Sequence, residues 1–389
     1  MEGKTMERTT MERDPTLRGP ELRQGQPSSG HPEAGRPGER ASWSRVEGPV
    51  NRPRRPKPYN APPRREGRGW LVPALLGSAA VLGTVALGVA ASARAAERGH
   101  PPRGRFMNVE GVRLHYVERG HGDPIVIFHG NGGMIEDMLS SGLVERLARR
   151  HRVIVFDRPG FGYSERPRTR IWTPMAQARL LRQAILRLGI ARATVLGHSL
   201  GTQVAVSLAL IDPAMVGSLV LASGYFFPTA RLDVPLLSGP AIPVIGDVMR
   251  YTVSPVITAA LLPLMYKKIF APNPVPDRFE AEFPHALALR PGQLRAASAD
   301  NAMMIPFAAE LQGRYPELRV PVTIICGTED QVTDFGRQSR RLHETLPGSR
   351  FVAVPGAGHM VHHIAPDLVA GTVAQAAAGA GAAPMRRSA

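Results

Sequence analysis

Ser199 stands in Gly197-His-Ser-Leu-Gly201, between an apolar run at 193–196 and a proline-free, Ala- and Val-rich stretch at 200–210. The flanks predict a buried strand feeding directly into a helix. Such an abrupt turn crowds its middle residue, and only residues without Cβ fit on either side. It lifts the hydroxyl off the sheet and sets the free N–H groups of a helix start beside it. A serine hydroxyl is a weak nucleophile at neutral pH and needs a base. Residues 351–355 read as a short strand that runs into Gly356-Ala-Gly-His359, a flexible loop carrying an imidazole, so His359 is the candidate base. His362 and His363 follow closely; the pattern puts them at the next helix start or facing solvent, with His362 the rival. The base needs a carboxylate to orient it. The apolar strand 321–326 ends in Gly327-Thr-Glu-Asp330, which makes Asp330 the candidate acid, with Glu329 and Asp334 as alternatives.

The chain order Ser199, Asp330, His359 is that of the α/β hydrolases. From about Phe106 to the C-terminus, roughly three quarters of its length, the sequence resembles that superfamily, in its serine branch of esterases, C–C bond hydrolases and lactonases. Two more stretches carry the resemblance: His129-Gly-Asn-Gly-Gly133 after the strand 125–128, and Asp157-Arg-Pro-Gly-Phe-Gly-Tyr-Ser164 after 153–156. It implies that the backbone N–H of Asn131, with Gly132 the fallback, and that of Leu200 form an oxyanion hole. It also implies a serine hydrolase that cleaves an apolar ester, thioester, lactone or related carbonyl substrate through an acyl-enzyme. A non-catalytic small-molecule-binding protein, an acyltransferase and a perhydrolase are the alternatives. Epoxide hydrolases and haloalkane dehalogenases of this fold carry Asp where this chain has Ser199, which argues against both. Asp157 reads as structural, bonding backbone in its own loop. No cofactor and no metal are expected: there is no Cys-x-x-Cys pair, and the glycines at 130–133 lack the Lys-Ser/Thr of a phosphate loop.

The elements that must position these residues follow from pattern. Strand-like runs at 106–109 and 112–117 flank Glu110-Gly111, a hairpin signal. Parallel strands are expected at about 125–128, 153–156, 193–197, 218–222, 321–326 and 350–354. Helices are expected at 143–149, 175–188, 335–346 and 364–376. The alternation predicts an α/β fold with a mostly parallel sheet and helices on both faces. Between 221 and 321 the spacing breaks, and residues 230–315 are expected to form a helical lid, with the core at 106–229 and 316–380. The insert is rich in Pro, Leu, Met and aromatics, which suits an apolar pocket. Its few charges between 235 and 264 leave membrane contact open. His285 within it reads as structural.

Of 389 residues, 43% are hydrophobic and 21% charged, as in an ordinary globular enzyme. The net charge is +16, yet no alternation of aromatic and basic residues suggests nucleic acid. The single Cys, Cys326, sits in an expected core strand and allows no intrachain disulfide. Residues 1–68 are Arg-, Pro- and Gly-rich without apolar periodicity and are expected to be disordered. Residues 69–93 carry no charge over 25 positions, enough to span a bilayer. They are expected to be a transmembrane helix or signal anchor, with cleavage near Ala93 as the alternative. Six Lys and Arg with one Glu lie at 54–68, against four Arg with one Glu at 94–105. That bias places the N-terminus in the cytoplasm and the enzyme outside it.

Overall fold

The computed structural model describes residues 71–382 apart from 232, 233, 235 and 236. The arm expected over 1–68 lies outside the described residues. The described residues form eight strands: β1 (Arg105–Val109), β2 (Val112–Arg119), β3 (Pro124–Phe128), β4 (Arg152–Phe156), β5 (Ala193–His198), β6 (Val216–Ala222), β7 (Val322–Gly327) and β8 (Arg350–Val354). They form one sheet in the order β1-β2-β4-β3-β5-β6-β7-β8. β2 runs antiparallel to β1 and β4, and every other pair is parallel. Glu110 and Gly111 join β1 to β2 with φ of 50° and 76°, the left-handed pair that a two-residue hairpin turn requires.

The central strands bury both faces. Val126, Phe128, Ile154, Phe156 and Val195 point into one core cluster, and Ile125, Ile127, Val153, Val155 and Leu196 into another. Strand side chains alternate between faces, so a continuous apolar run serves two layers at once. After the N-terminal helix α1 (Leu71–Gly99), helices α2 (Ile135–Ser140) and α3 (Leu143–Ala148) supply residues to the second cluster, as does the C-terminal helix Pro366–Ala382. α4 (Pro174–Arg187) and α5 (Gly201–Ile211) supply the first. α4 begins as its sequence dictates: Thr173 Oγ1 accepts the Ala176 N–H at 3.1 Å, and Pro174 fills the first turn.

Two expected helices differ in detail. The stretch 335–346 opens with a wide turn over Gly336–Arg340, where the Arg340 N–H bonds the Phe335 carbonyl, before Arg341–Thr345. There Gln338 turns inward and accepts the Phe226 and Phe227 N–H groups at 2.7 and 2.8 Å. The helix expected from 364 starts at Pro366, and a separate short turn, Val361–Ile364, carries His362 and His363.

Between β6 and β7 the chain leaves the sheet and forms α6 (Ile245–Tyr251), α7 (Val253–Phe270), α8 (Asp277–Glu282), α9 (His285–Ala288) and α10 (Pro291–Gln312). α10 is fastened to the core by a buried ion pair. Arg158, in the loop after β4, reaches Asp300 at 2.7 Å, and Arg166 reaches the other oxygen at 2.9 Å. Gln177 bonds both Arg158 and Asp300. Burial drives Asp300 upward, but the charges of Arg166 and Arg158 outweigh it and hold the carboxyl below its ordinary range.

α1 offers a stretch of mean hydropathy 2.0 whose most apolar window is wholly unburied, long and apolar enough to cross a membrane.

Asp300→Ala strands two arginines in the interior. It is expected to cost about 3–5 kcal/mol, read as a lowered urea midpoint with an unchanged slope.

Candidate active site

β5 ends at His198 and α5 begins at Gly201, leaving two residues for the whole reversal. Ser199 takes φ of +53°, a left-handed conformation that costs a non-glycine residue about 1–3 kcal/mol. A Cβ on Gly201 would lie 2.2 Å from the Phe128 carbonyl oxygen, and one on Gly197 would lie 2.7 Å from the Gly201 oxygen. Both glycines are therefore required by contact. The turn is locked by the Ser199 N–H on the Ala222 carbonyl at 2.9 Å and the Thr202 N–H on the Ser199 carbonyl at 3.0 Å.

The loop after β8 delivers His359 to this turn. Its Nε2 lies 3.0 Å from Ser199 Oγ and its Nδ1 2.9 Å from Asp330 Oδ2. Asp330 follows β7 and is almost fully buried. The Thr333 hydroxyl donates to its Oδ2 at 2.7 Å, and the N–H groups of Val332 and Thr333 both donate to its Oδ1 at 2.8 Å. Burial raises its pKa, but the adjoining His359 and these donors outweigh that and keep the carboxyl below its ordinary range. The Nδ1–H of His359 then faces a carboxylate, which leaves Nε2 free to accept from Ser199. The other two carboxylates of this loop are engaged elsewhere or face solvent. Glu329 is exposed, and Asp334 accepts the Arg337 N–H at 2.7 Å. The chain does contain a His-x-x-x-His spacing, His359 to His363, and the structure splits it. His362 and His363 direct Nε2 to Asp137 Oδ1 at 3.2 and 2.9 Å, away from Ser199. Two imidazoles and a carboxylate within 4.8 Å have the atoms to hold a divalent cation. The hydrogen bonds alone also satisfy that oxygen.

The Gly-rich loop after β3 closes the other side. A Cβ on Gly130 would lie 3.0 Å from that of Ser199, so this backbone runs directly beside the hydroxyl. Among the described residues, neither the Asn131 N–H nor the Leu200 N–H bonds a backbone carbonyl. The Asn131 side chain turns toward α10, donating to the Ala297 carbonyl at 3.1 Å and Asn301 Oδ1 at 2.8 Å. His129 fixes the loop from below. Its Nδ1 donates to the Gly130 carbonyl and its Nε2 accepts the Arg158 N–H at 3.0 Å. Burial first, and then the Arg158 charge, lower its pKa to about 4, so the ring is neutral and that tautomer is the one both bonds require. Arg158 adds bonds to the His129 and Gly130 carbonyls at 2.8 and 3.0 Å.

Asp157 plays the expected structural part and more. It accepts the Tyr163 N–H within its loop, the Ile135 N–H at the start of α2, and His115 Nδ1 at 2.6 Å. His285 bonds the Tyr266 hydroxyl at 3.0 Å inside the insert. Cys326 is buried, and burial pushes its thiol up to about 11. Sequence reasoning missed Thr333, Arg158, Asp300 and Asn301. A Thr three residues after a candidate acid was the one readable signal.

A profile of the alpha/beta hydrolase fold matches residues 123–366. The chain belongs to the alpha/beta hydrolase family. This α/β hydrolase is 29% identical over 281 residues to an uncharacterized protein of Mycobacterium tuberculosis, covering 68% of this chain and 77% of the relative. It is 26% identical to haloalkane dehalogenase 2 of the same organism, covering 70% and 94%. Among solved structures, a membrane phospholipase A described as a bacterial virulence factor matches with TM-score 0.54 and 24% identity, over 81% of this chain and 98% of that one. The enol-lactonase of Burkholderia xenovorans LB400 matches with TM-score 0.53 and 23% identity, over 70% and 98%. These structural likenesses are likenesses of fold. The family match is what makes this α/β hydrolase an enzyme of the hydrolase class.

Glu136 supplies a pH test. Burial first, then the Asp157 charge, push its carboxyl from 4.5 up to about 7. The native state therefore holds a proton that the unfolded chain has released between those values. The resulting stability is complete below about pH 4.5 and is lost as pH rises through about 7. Glu136→Gln keeps a neutral side chain throughout. Its stability relative to the unsubstituted protein should rise between about pH 5 and about pH 8, measured by urea unfolding at each pH.

Proposed function

We propose that this α/β hydrolase is a serine hydrolase that cleaves an apolar ester, thioester or lactone. The observation that carries the proposal is the continuous path from Ser199 Oγ to His359 Nε2 at 3.0 Å and from His359 Nδ1 to Asp330 Oδ2 at 2.9 Å. Ser199 attacks the carbonyl carbon while His359 takes its proton. Asp330 holds the ring in the Nδ1–H tautomer and stabilises the imidazolium. The Leu200 and Asn131 N–H groups donate to the developing oxyanion, each contributing about 3–4 kcal/mol of barrier lowering. His359 then protonates the leaving group, and water, deprotonated by the same ring, releases the acyl group. A serine at 199 offers no carboxylate to displace a halide, so the activity in the dehalogenase relative's name is not carried over.

An apolar substrate suits the surroundings. Leu200, beside the nucleophile, packs with Tyr225, Val234, Met304 and Ala308, three of which lie in the insert. The insert would act as the lid over the site. For α1 the reading is an uncleaved anchor with the enzyme outside the cytoplasm. Ala90, Ala93 and Ala96 lie on its covered face, so cleavage near Ala93 would split the surface that packs on the domain. Alkaline phosphatase fused after residue 105 should be active in whole cells. An inactive fusion reverses the orientation.

Ser199→Ala should abolish both turnover of short p-nitrophenyl esters and labelling by a fluorophosphonate. Asp330→Asn should lower kcat about 10⁴-fold while KM changes little. Unsubstituted protein that neither labels nor turns over any ester of a chain-length series defeats the proposal.

A further inference from the structure

The insert displays an apolar surface that a protein surrounded by water has little reason to keep. Val244, Ile245 and Val248 in and before α6, and Val256, Ile257 and Leu264 in α7, are all more than half exposed. No charge occurs from Tyr251 to Tyr266. α7 has mean hydropathy 1.3 over 18 residues, and only 17% of it is buried. Contiguous exposed apolar area of this kind marks an interaction surface.

α1 indicates what covers it. From residue 72 to 85 every side chain on α1 is exposed. From Ala86 onward one face becomes covered, at Ala86, Val89, Ala90, Ala93 and Ala96, the spacing of a single helical stripe. α6 and α9 both pack on α1. The first charge on α1 is Arg94. Protein thus begins to cover the helix eight residues before its uncharged stretch ends, about 12 Å at the helical rise. A helix that crosses a bilayer with this stretch carries α6 down to the boundary between headgroups and acyl chains. The exposed side chains of α6 and α7 are then at the depth where apolar side chains are stable. Lys267 and Lys268 end the uncharged run and are exposed, placed for anionic headgroups.

The surface is also tied to the site. The chain leaving α7 carries Asn273, whose Oδ1 accepts the Gly358 N–H and whose Nδ2 donates to the Gly356 carbonyl, both at 3.1 Å. These bonds brace the loop that bears His359.

We infer that the α6–α7 face of the insert is embedded in the outer acyl layer of the bilayer that α1 crosses, and that the site takes as substrate an ester partitioned into that bilayer. The inference rests on the anchor and hydrolase readings above. Its occupant is the lipid bilayer; a second copy of the chain or a soluble partner is an outcome that would count against it.

Cys326, the sole cysteine, is buried, so introduced cysteines can be labelled selectively. Full-length Val81→Cys, Val256→Cys, Leu264→Cys and Glu344→Cys proteins, each carrying an environment-sensitive fluorophore, are reconstituted into phosphatidylcholine–phosphatidylglycerol vesicles containing doxyl lipids. Labels at 81, 256 and 264 should be quenched about two-fold or more, and the label at 344 should not. Quenching at 81 without quenching at 256 and 264 overturns the inference alone. No quenching at any of the three overturns it together with the anchor reading. In parallel, Ile257→Glu with Leu264→Glu should lower turnover of a long-chain ester held in vesicles about ten-fold and leave a soluble short-chain ester unaffected. Equal turnover of both substrates by variant and unsubstituted protein overturns the substrate assignment. If unsubstituted protein cleaves neither ester, the hydrolase reading fails, while the quenching pattern still decides where the insert lies.

Discussion

The left-handed backbone at Ser199 is the constraint on which the site depends. A strand has to become a helix within two residues, and the only way to do so here is to press Gly201 against the carbonyls that end β3 and to hold Ser199 at φ +53°. That cost of about 1–3 kcal/mol is offset by the sheet below, whose strands β3, β5 and β6 are buried on both faces. Because the hydroxyl sits at the summit of that turn, anything that reaches it must come from loops at the same end of the sheet. Parallel strands guarantee this, since all of their outgoing loops emerge at one edge. The loops after β3, β7 and β8 supply the Gly-rich backbone, Asp330 and His359 in turn.

Buried charge then fixes what the strained turn leaves free. Arg158 spends its donors on two carbonyls of the Gly-rich loop, on Gln177 and on Asp300 of the insert. In a solvent-exposed pair such as Arg314–Glu317 water screens most of the attraction. The Arg158–Asp300 pair gives little net stability over an apolar substitute, but breaking it is expensive. The same guanidinium that ties the insert to the core also holds the loop beside Ser199. Neutral His129 belongs to the same design, because a protonated ring would place a third positive group next to Arg158 and lose an acceptor.

The chain is uneven in how it meets solvent. The sheet and its flanking helices hide their apolar residues in two clusters, whereas α1, α6 and α7 leave theirs outside. The covered stripe on α1 consists mainly of alanine, which allows close helix approach without a large side chain. The domain and its N-terminal helix therefore meet along a small-residue seam, beside the part of the insert that is least able to tolerate water.

Much of this was legible in the sequence. The apolar runs gave every strand to within two or three residues, and the Glu110-Gly111 turn, the elbow around Ser199 and the interruption after β6 each have a local signature. Ser199, Asp330 and His359 could be nominated because each ends or follows a strand in a loop whose composition is distinctive. The rival roles of His362, Glu329 and Asp334 could not be settled along the chain, because a side chain's direction at a strand end depends on a turn of one residue more or less. Nor did any local pattern reveal that Arg158 faces Asp300 across 142 positions, or that Asp137 gathers two histidines more than 200 residues away. Sequence by itself determined which residues are apolar, which turns need glycine and where the hydroxyl, imidazole and carboxyl stand in order. Tertiary structure alone decided which of them meet, because pairing between distant loops is set by the stacking order and twist of the sheet, and no segment contains that information.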